Sequence, residues 1–237
     1  MKVLCSIAAR SGSKGIINKN LKKIGNHPLI AYTIKIALSS RLINKVVVNT
    51  DSKKIANIAK KYGADVPFIR KPNLADDKTP LLMVTKDTLI NMENLKQNYD
   101  IVIQLAATCP FISKKNLEES IHLANKYDCC VSLKRIEHDH PYRAKKIYGS
   151  NNRFESFIKN INVEKFQSRQ DLPELFTTSG GIYTRKSKLL KTATEKDFCF
   201  GKSPVGIILN DIESINIDRK IDLEFAKFIQ EKKLFKI

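Results

Sequence analysis

Val3-Leu4-Cys5-Ser6-Ile7-Ala8, followed at once by Ala9-Arg10-Ser11-Gly12-Ser13-Lys14-Gly15-Ile16-Ile17-Asn18-Lys19-Asn20, decides how this chain reads. The opening run is uncharged and continuously apolar or small. That pattern matches a strand buried on both faces, as in a parallel sheet covered by helices. The segment after it turns abruptly polar, with two glycines and the cations Arg10, Lys14 and Lys19. In open α/β sheets, ligands bind outside the carboxyl ends of the strands, which is where this loop falls. Gly12 and Gly15 are expected to allow close backbone approach and positive φ. Exposed main-chain N–H groups together with such cations make a polyphosphate cradle. A flexible, solvated basic turn would have the same composition. The loop is neither a P-loop nor a Rossmann fingerprint, because both glycine spacings are absent.

Outward from this stretch, strand and helix patterns alternate. Pro28 opens a helical pattern through Leu29, Ile30, Tyr32, Thr33, Ile36 and Ala37. Val46-Val47-Val48 reads as the next strand, followed by a helix from Ser52 to Tyr62 that Gly63 closes. Val66-Pro67-Phe68-Ile69 reads as a short strand or edge, and a long helix is expected over Leu81 to Leu95. Ile101-Val102-Ile103-Gln104-Leu105 and Cys129-Cys130-Val131-Ser132-Leu133 read as strands on either side of a helix from Ser113 to Lys126. Residues 135–176 break the rhythm, and an excursion of that length is usually functional or an interface. The rhythm returns at Gly181-Ile182-Tyr183-Thr184. It ends with a strand-like Ser214-Ile215-Asn216-Ile217-Asp218 and an amphipathic helix through Ile221, Phe225, Phe228 and Ile229. The alternation predicts an α/β fold with an open, mainly parallel sheet flanked by helices, as one domain with an inserted arm.

Composition narrows the function. The 237 residues are 42% hydrophobic and 28% charged, ordinary for a soluble globular protein. No apolar run approaches the ~20 residues of a membrane span, and the opening stretch is too short to be expected as a secretory leader. The five cysteines, Cys5, Cys109, Cys129, Cys130 and Cys199, include no C-x-x-C pair, so a reducing cytoplasm is expected and a disulfide framework is not. The net charge of +18 raises a nucleic-acid reading. Against it, the lysines are spread along the chain with no basic stripe of interleaved aromatics, and no nucleic-acid partner is expected. A positive field would still attract nucleoside triphosphates. His138-x-His140 has no second ligand pair at zinc spacing. Gly201-Lys202-Ser203 lacks the upstream glycine of a phosphate loop and is followed by Pro204.

The run Arg10-x-x-Ser13-Lys14-Gly15-Ile16-x-x-Lys19-Asn20 resembles the signature of the acylneuraminate cytidylyltransferase family, with its legionaminate and pseudaminate relatives. The resemblance continues in order through Pro28-Leu29-Ile30-Ala31-Tyr32-Thr33-Ile34, Val48-Asn49-Thr50-Asp51, Tyr62-Gly63-Ala64 and Ser168-Arg169-Gln170-Asp171-Leu172-Pro173. It ends in Gly180-Gly181-Ile182-Tyr183 and Ile215-Asn216-Ile217-Asp218. It implies a nucleotidyltransferase fold, Rossmann-like or GT-A-like, over residues 1–237, with the 135–176 arm used for dimerisation and sugar contact. It implies transfer of CMP from CTP to an acidic nonulosonic sugar, with Mg²⁺ and release of pyrophosphate. Arg10, Lys14 and Lys19 would be catalytic. Ala8, Ala9, Arg10, Ser13, Lys14, Gly15, Asn20, Arg70 and Thr79 would hold the nucleotide. Gln104, Ala106, Thr108, Arg169, Gln170 and Thr177 would face the sugar, and Asp218 with Asn216 would hold the metal. Asp218 also suits the cap of the last helix, and Asp51 the cap of the second.

Three positions depart from the family pattern. Ala106 stands where the family often has a sugar-contacting Gln, Thr177 where sialate enzymes have Arg, and Asn216 where one of two metal carboxylates is usual. The nucleotide half is kept and the sugar half altered. Another NTP such as GTP, or a sugar 1-phosphate, on the same fold remains an open alternative, as does a basic nucleic-acid-binding protein.

Overall fold

Alternation along the first strand sets the layers in the computed structural model, which describes residues 1–235. From β1 (Val3–Ala8) the chain passes through the basic loop to a small turn, β2 (Lys23–Ile24) and β3 (His27–Pro28), and into α1 (Leu29–Ser39). Then come β4 (Lys45–Asn49), α2 (Lys53–Lys61), α3 (Leu81–Asn94), β5 (Ile101–Ala106), α4 (Lys114–Lys126) and β6 (Cys129–Arg135). The arm carries a hairpin, β7 (Lys145–Tyr148) and β8 (Arg153–Ser156). The chain returns through β9 (Phe176–Lys186), α5 (Ser187–Thr192), β10 (Pro204–Ile208) and α6 (Lys220–Glu231).

The main sheet has the order β10-β6-β9-β5-β1-β4. β1 lies parallel to both β4 and β5, and β10 parallel to β6. β9 pairs antiparallel with both β5 and β6, so it runs against the other strands. Val3, Cys5 and Ile7 on one face of β1 join an apolar cluster with Ile30 and Ile34 of α1, Ile55 and Ala59 of α2, and Leu117 and Ile121 of α4. Leu4 on the other face joins Leu89 and Met92 of α3 and Leu190 of α5. The two-faced burial expected of this strand follows from helices on both sides of the sheet. The expected helix starts are met where a serine caps the first turn. Ser52 Oγ accepts from Ile55 N at 3.3 Å and Ser113 Oγ from Asn116 N at 3.2 Å. Gly63 follows α2 with φ of 92°, the left-handed conformation that a residue with a Cβ resists.

Some elements differ from the sequence reading. Residues 66–69 form no strand; Asp65 alone bridges Val47, and Pro67 has no N–H to extend a ladder. Residues 214–218 form no strand either: they leave a turn and run extended across the end of β5, where Ile217 N donates to Thr108 O at 2.9 Å. The helix α5 and the edge strand β10 were not anticipated. Gly201-Lys202-Ser203 is a tight turn, with Gly201 at φ 73° and the Lys202 and Ser203 amides donating to Asp128 Oδ2. Those amides are thus already taken by a carboxylate.

β1 sits between β4 and β5 in the sheet, and the helices that follow β1 and β5, α1 and α4, pack on the same face. A crevice lies at the carboxyl ends of β1 and β5, where Ala8 and Ala106 stand in register. Ile103, fully buried on β5, packs at the centre of the larger cluster. Ile103→Ala is expected to lower the unfolding free energy by about 2–5 kcal/mol, read as a reduced urea midpoint at unchanged slope.

Candidate active site

The basic loop is pinned at both ends and in the middle. At its start, Asp51 accepts from Ser11 N at 2.9 Å and from Ser11 Oγ at 2.6 Å. At its end, the buried Asn20 donates from Nδ2 to Arg10 O at 3.1 Å, tying exit to entry. Between them Ile16 is buried with Ile217 and with Leu223 and Ala226 of α6. A solvated, floppy turn has no such anchors. Neither Gly12 nor Gly15 adopts the positive φ expected of it; the left-handed residue is Asn18, at φ 55°. Gly15 is needed for space instead: a Cβ there would lie 2.3 Å from the carbonyl oxygen of Asp218. At Gly12 a Cβ would meet nothing within 4 Å.

Docking of 215–218 on this loop brings opposite ends of the chain together. Lys19, whose side chain is only 13% exposed, places Nζ 2.8 Å from Asp218 Oδ1. Asn216 Nδ2 donates to Asp218 Oδ2 at 3.0 Å. Asp218 does not cap α6. The carboxylate of Asp222 does so, accepting from Asp218 N at 2.9 Å and Arg219 N at 2.7 Å. Ser52, not Asp51, caps α2. Both aspartates therefore serve the loop rather than a helix.

A cavity of about 470 Å³ lies over this arrangement, within the size range of small-molecule sites. Of the residues expected from sequence, Ala8, Arg10, Ser13, Lys14, Gly15, Lys19, Asn20, Arg70, Gln104, Ala106, Thr108, Asn216 and Asp218 line it. Ala9 does not; its side chain is buried in the core. Thr79 turns into its own loop, donating to Asp76 Oδ1 at 2.6 Å. The arm residues are also elsewhere. Arg169 pairs with Glu137 beside a separate small hollow. Gln170 accepts from Ser168 Oγ, and Thr177 lies opposite Lys134 on β9. His140 is buried within the same region, with Nε2 3.2 Å from Pro173 O. Among the described residues, no group of three or more His, Cys, Asp or Glu is placed to hold a metal ion.

Arg70 is a buried cation that reaches the cavity from below. Its guanidinium donates to Asn49 through Nε (2.9 Å to Oδ1) and through Nη2 to the main-chain oxygen. Burial lowers its pKa to about 10, with Asp51 and Asp87 acting to raise it, so it stays charged at neutral pH. Gln104 is buried at the floor, its Oε1 accepting from Thr85 at 3.3 Å and from Arg185 at 3.4 Å. Cys109 is fully buried beneath the segment, and burial pushes its thiol up to about 12, which makes it a packed thiol rather than a nucleophile. Asp77, Leu81, Leu105 and Ala107 also line the cavity without having been singled out in the sequence. Asp77 faces Arg10 and Lys14, and these two cations hold its carboxyl below the usual carboxylate range. Four cations thus face two carboxylates around one opening, a site built for a polyanion.

Gly15→Ala is expected to separate the loop from 215–218, costing about 1–3 kcal/mol of stability. Gly12→Ala, with open space, should change stability by less than about 0.5 kcal/mol. Paired urea titrations of the two variants check the contrast.

The model of the cytidylyltransferase family matches residues 4–237 of this chain. CMP-N,N'-diacetyllegionaminic acid synthase of Campylobacter jejuni is 33% identical over 229 residues, covering 96% of this chain and 94% of that protein. A pseudaminic acid cytidylyltransferase of the same species is 33% identical, covering 97% and 96%. Among solved structures, CMP:2-keto-3-deoxy-manno-octonic acid synthetase, complexed with CTP, superposes with a TM-score of 0.69 at 17% identity, over 98% of this chain and all of that one. At that identity the likeness is one of fold. With the matched model running from β1 to the end of the chain, over the loop and the segment that meets it, the protein belongs to the cytidylyltransferase family and is a nucleotidyltransferase.

Proposed function

We propose that this enzyme transfers the cytidylyl group of CTP to an acidic nonulosonic sugar and releases pyrophosphate. The observation that carries the reading is the convergence of Arg10, Lys14 and Lys19 on one cavity at the carboxyl ends of β1 and β5. The sugars named for the two Campylobacter relatives support the acceptor class. A hydroxyl oxygen of the sugar attacks the α-phosphorus in line. The bond from that phosphorus to the bridging oxygen breaks, pyrophosphate carries off that oxygen, and the hydroxyl proton passes to solvent water. Arg10, Lys14 and Lys19 offset charge on the α-phosphate and on the leaving pyrophosphate, and the pinned loop holds them in place before the substrate arrives. Ala8 and Ser13 flank the phosphate path and Arg70 supplies a fixed cation beneath it.

The donor set suits Mg²⁺. That ion is held by one or two carboxylates together with phosphate oxygens and water, rather than by a full protein cage. Asp218 offers a carboxylate that is largely open to the cavity side, with the amide of Asn216 beside it. Bound there, the ion would neutralise phosphate charge. Ala106, where a larger side chain is usual in the resemblance, leaves room on the sugar side of the cavity. The five cysteines are buried and free, which suits a reducing, cytoplasmic setting.

A homodimer through the arm is part of the proposal. Ile147 and Phe154, directly paired across the β7–β8 hairpin, are exposed in the single chain, as are Tyr148 and Phe157 beside them, and exposed apolar side chains that adjoin one another favour an interface. The same arm carries Arg169 and Gln170. Sedimentation is expected to give a dimer at micromolar concentration, and Phe154→Asp with Phe157→Asp to shift it toward monomer. A wild-type monomer would remove the arm's assigned role.

The reaction is tested by a pyrophosphate-release assay crossing CTP, GTP, UTP and ATP, with Mg²⁺, against several acidic sugars. Release with CTP and a nonulosonic acid is expected; release with GTP alone would replace the base. In the productive pair, Lys19→Ala is expected to lower kcat by about 10²–10³-fold at an unchanged fold. Wild-type turnover in that variant would show that Lys19 does not face the reacting phosphates.

A further inference from the structure

The cradle is charge-compensated from within. Lys14 Nζ lies 2.5 Å from Asp77 Oδ2, and Arg10 Nη2 pairs with Asp77 Oδ1, so both carboxylate oxygens are engaged by the two cations. Arg10 Nη1 also reaches Ala75 O, at 3.5 Å, which docks the 75–79 loop across the cavity. That loop is organised independently of the cradle. Asp76 accepts from Lys78 N, Thr79 N and Thr79 Oγ1, so its neighbour Asp77 is left to point at the cations. A carboxylate therefore stands where the proposed function requires a phosphate.

Two physical consequences follow for a phosphate-transfer site. An incoming anion must displace Asp77, so a singly charged anion gains little from the exchange, whereas a triphosphate supplies several charges at once. After transfer, pyrophosphate is left against Arg10, Lys14 and Lys19, and without a competitor it would leave slowly. A tethered carboxylate a few ångströms away is present at high effective concentration and can retake its two cations as the product departs. We propose that Asp77 is a built-in competitor for the phosphate positions, which sets how tightly the cradle holds nucleotide and product pyrophosphate. The proposal rests on the reading of the loop as a triphosphate cradle. It is distinct from metal binding, because the partners of Asp77 here are cations and its removal should tighten anion binding.

Calorimetric titration of the full chain with inorganic pyrophosphate, without added divalent metal, separates the possibilities. Asp77→Asn is expected to bind pyrophosphate about 3- to 30-fold more tightly than wild type, the range set by losing up to two exposed ion pairs from the competing state. Asp77→Ala should match it, and Asp77→Glu, which restores the charge, should return the affinity toward wild type. In turnover, the Asn variant should show a correspondingly lower pyrophosphate inhibition constant. Unchanged or weaker binding by both Asp77→Asn and Asp77→Ala overturns the inference and leaves the cradle intact. Failure of the wild type to bind pyrophosphate or CTP at all overturns the inference together with the reading beneath it.

Discussion

Gly15 lies so close to the carbonyl of Asp218 that no side chain fits between them, and the site depends on that contact. It lets a loop from the first strand and a segment from the end of the chain share one surface, with Ile16 and Ile217 buried in the same cluster. The hydrogen bond from Ile217 N to Thr108 O fixes the second segment to the end of β5. Lys19 and Asp218 meet because these backbones do, not because a surface ion pair could hold two loops together; such pairs are worth little by themselves. Apolar burial and a missing Cβ thus place the charges, and the charges then act on a ligand.

The electrostatic design is a positive opening whose cations differ in exposure. Arg70 is immobilised by Asn49, which in turn donates to Asp87, Thr88 and Val84. Lys19 is largely covered, and Lys14 is mostly exposed. A buried, hydrogen-bonded cation in the floor and an exposed one at the rim suit the binding of a polyanion. The carboxyl ends of β1 and β5 supply the crevice, and the antiparallel β9 pairs beside β5 so that Arg185 holds Gln104.

Much of this was legible in the chain. Val3–Ala8 reads as a doubly buried strand because no charge interrupts it, and the helix starts at Ser52 and Ser113 carry their own caps. The cavity lining was readable wherever a residue lies at or just past a strand end, as Ala8, Arg10, Ala106 and Thr108 do. Val66-Pro67-Phe68-Ile69 misled because its β-branched and aromatic residues pack without a ladder. Ile215 and Ile217 misled because alternation records which side is buried, not whether a strand lies alongside. Asp77 was invisible because its partners are 67 and 63 positions away, and no local pattern encodes such a pairing. Arg169, Gln170 and Thr177 were placed near the sugar by resemblance, yet one chain by itself leaves them outside the cavity.

The central claim is that the loop from Arg10 to Asn20 holds a triphosphate. A crystal structure of the chain with CTP and Mg²⁺ tests it most directly. The account requires phosphate oxygens within hydrogen-bond reach of Arg10, Lys14 and Lys19, with the Asp77 carboxylate moved off its two cations. Nucleotide bound elsewhere, with Asp77 still seated on Arg10 and Lys14, would contradict it.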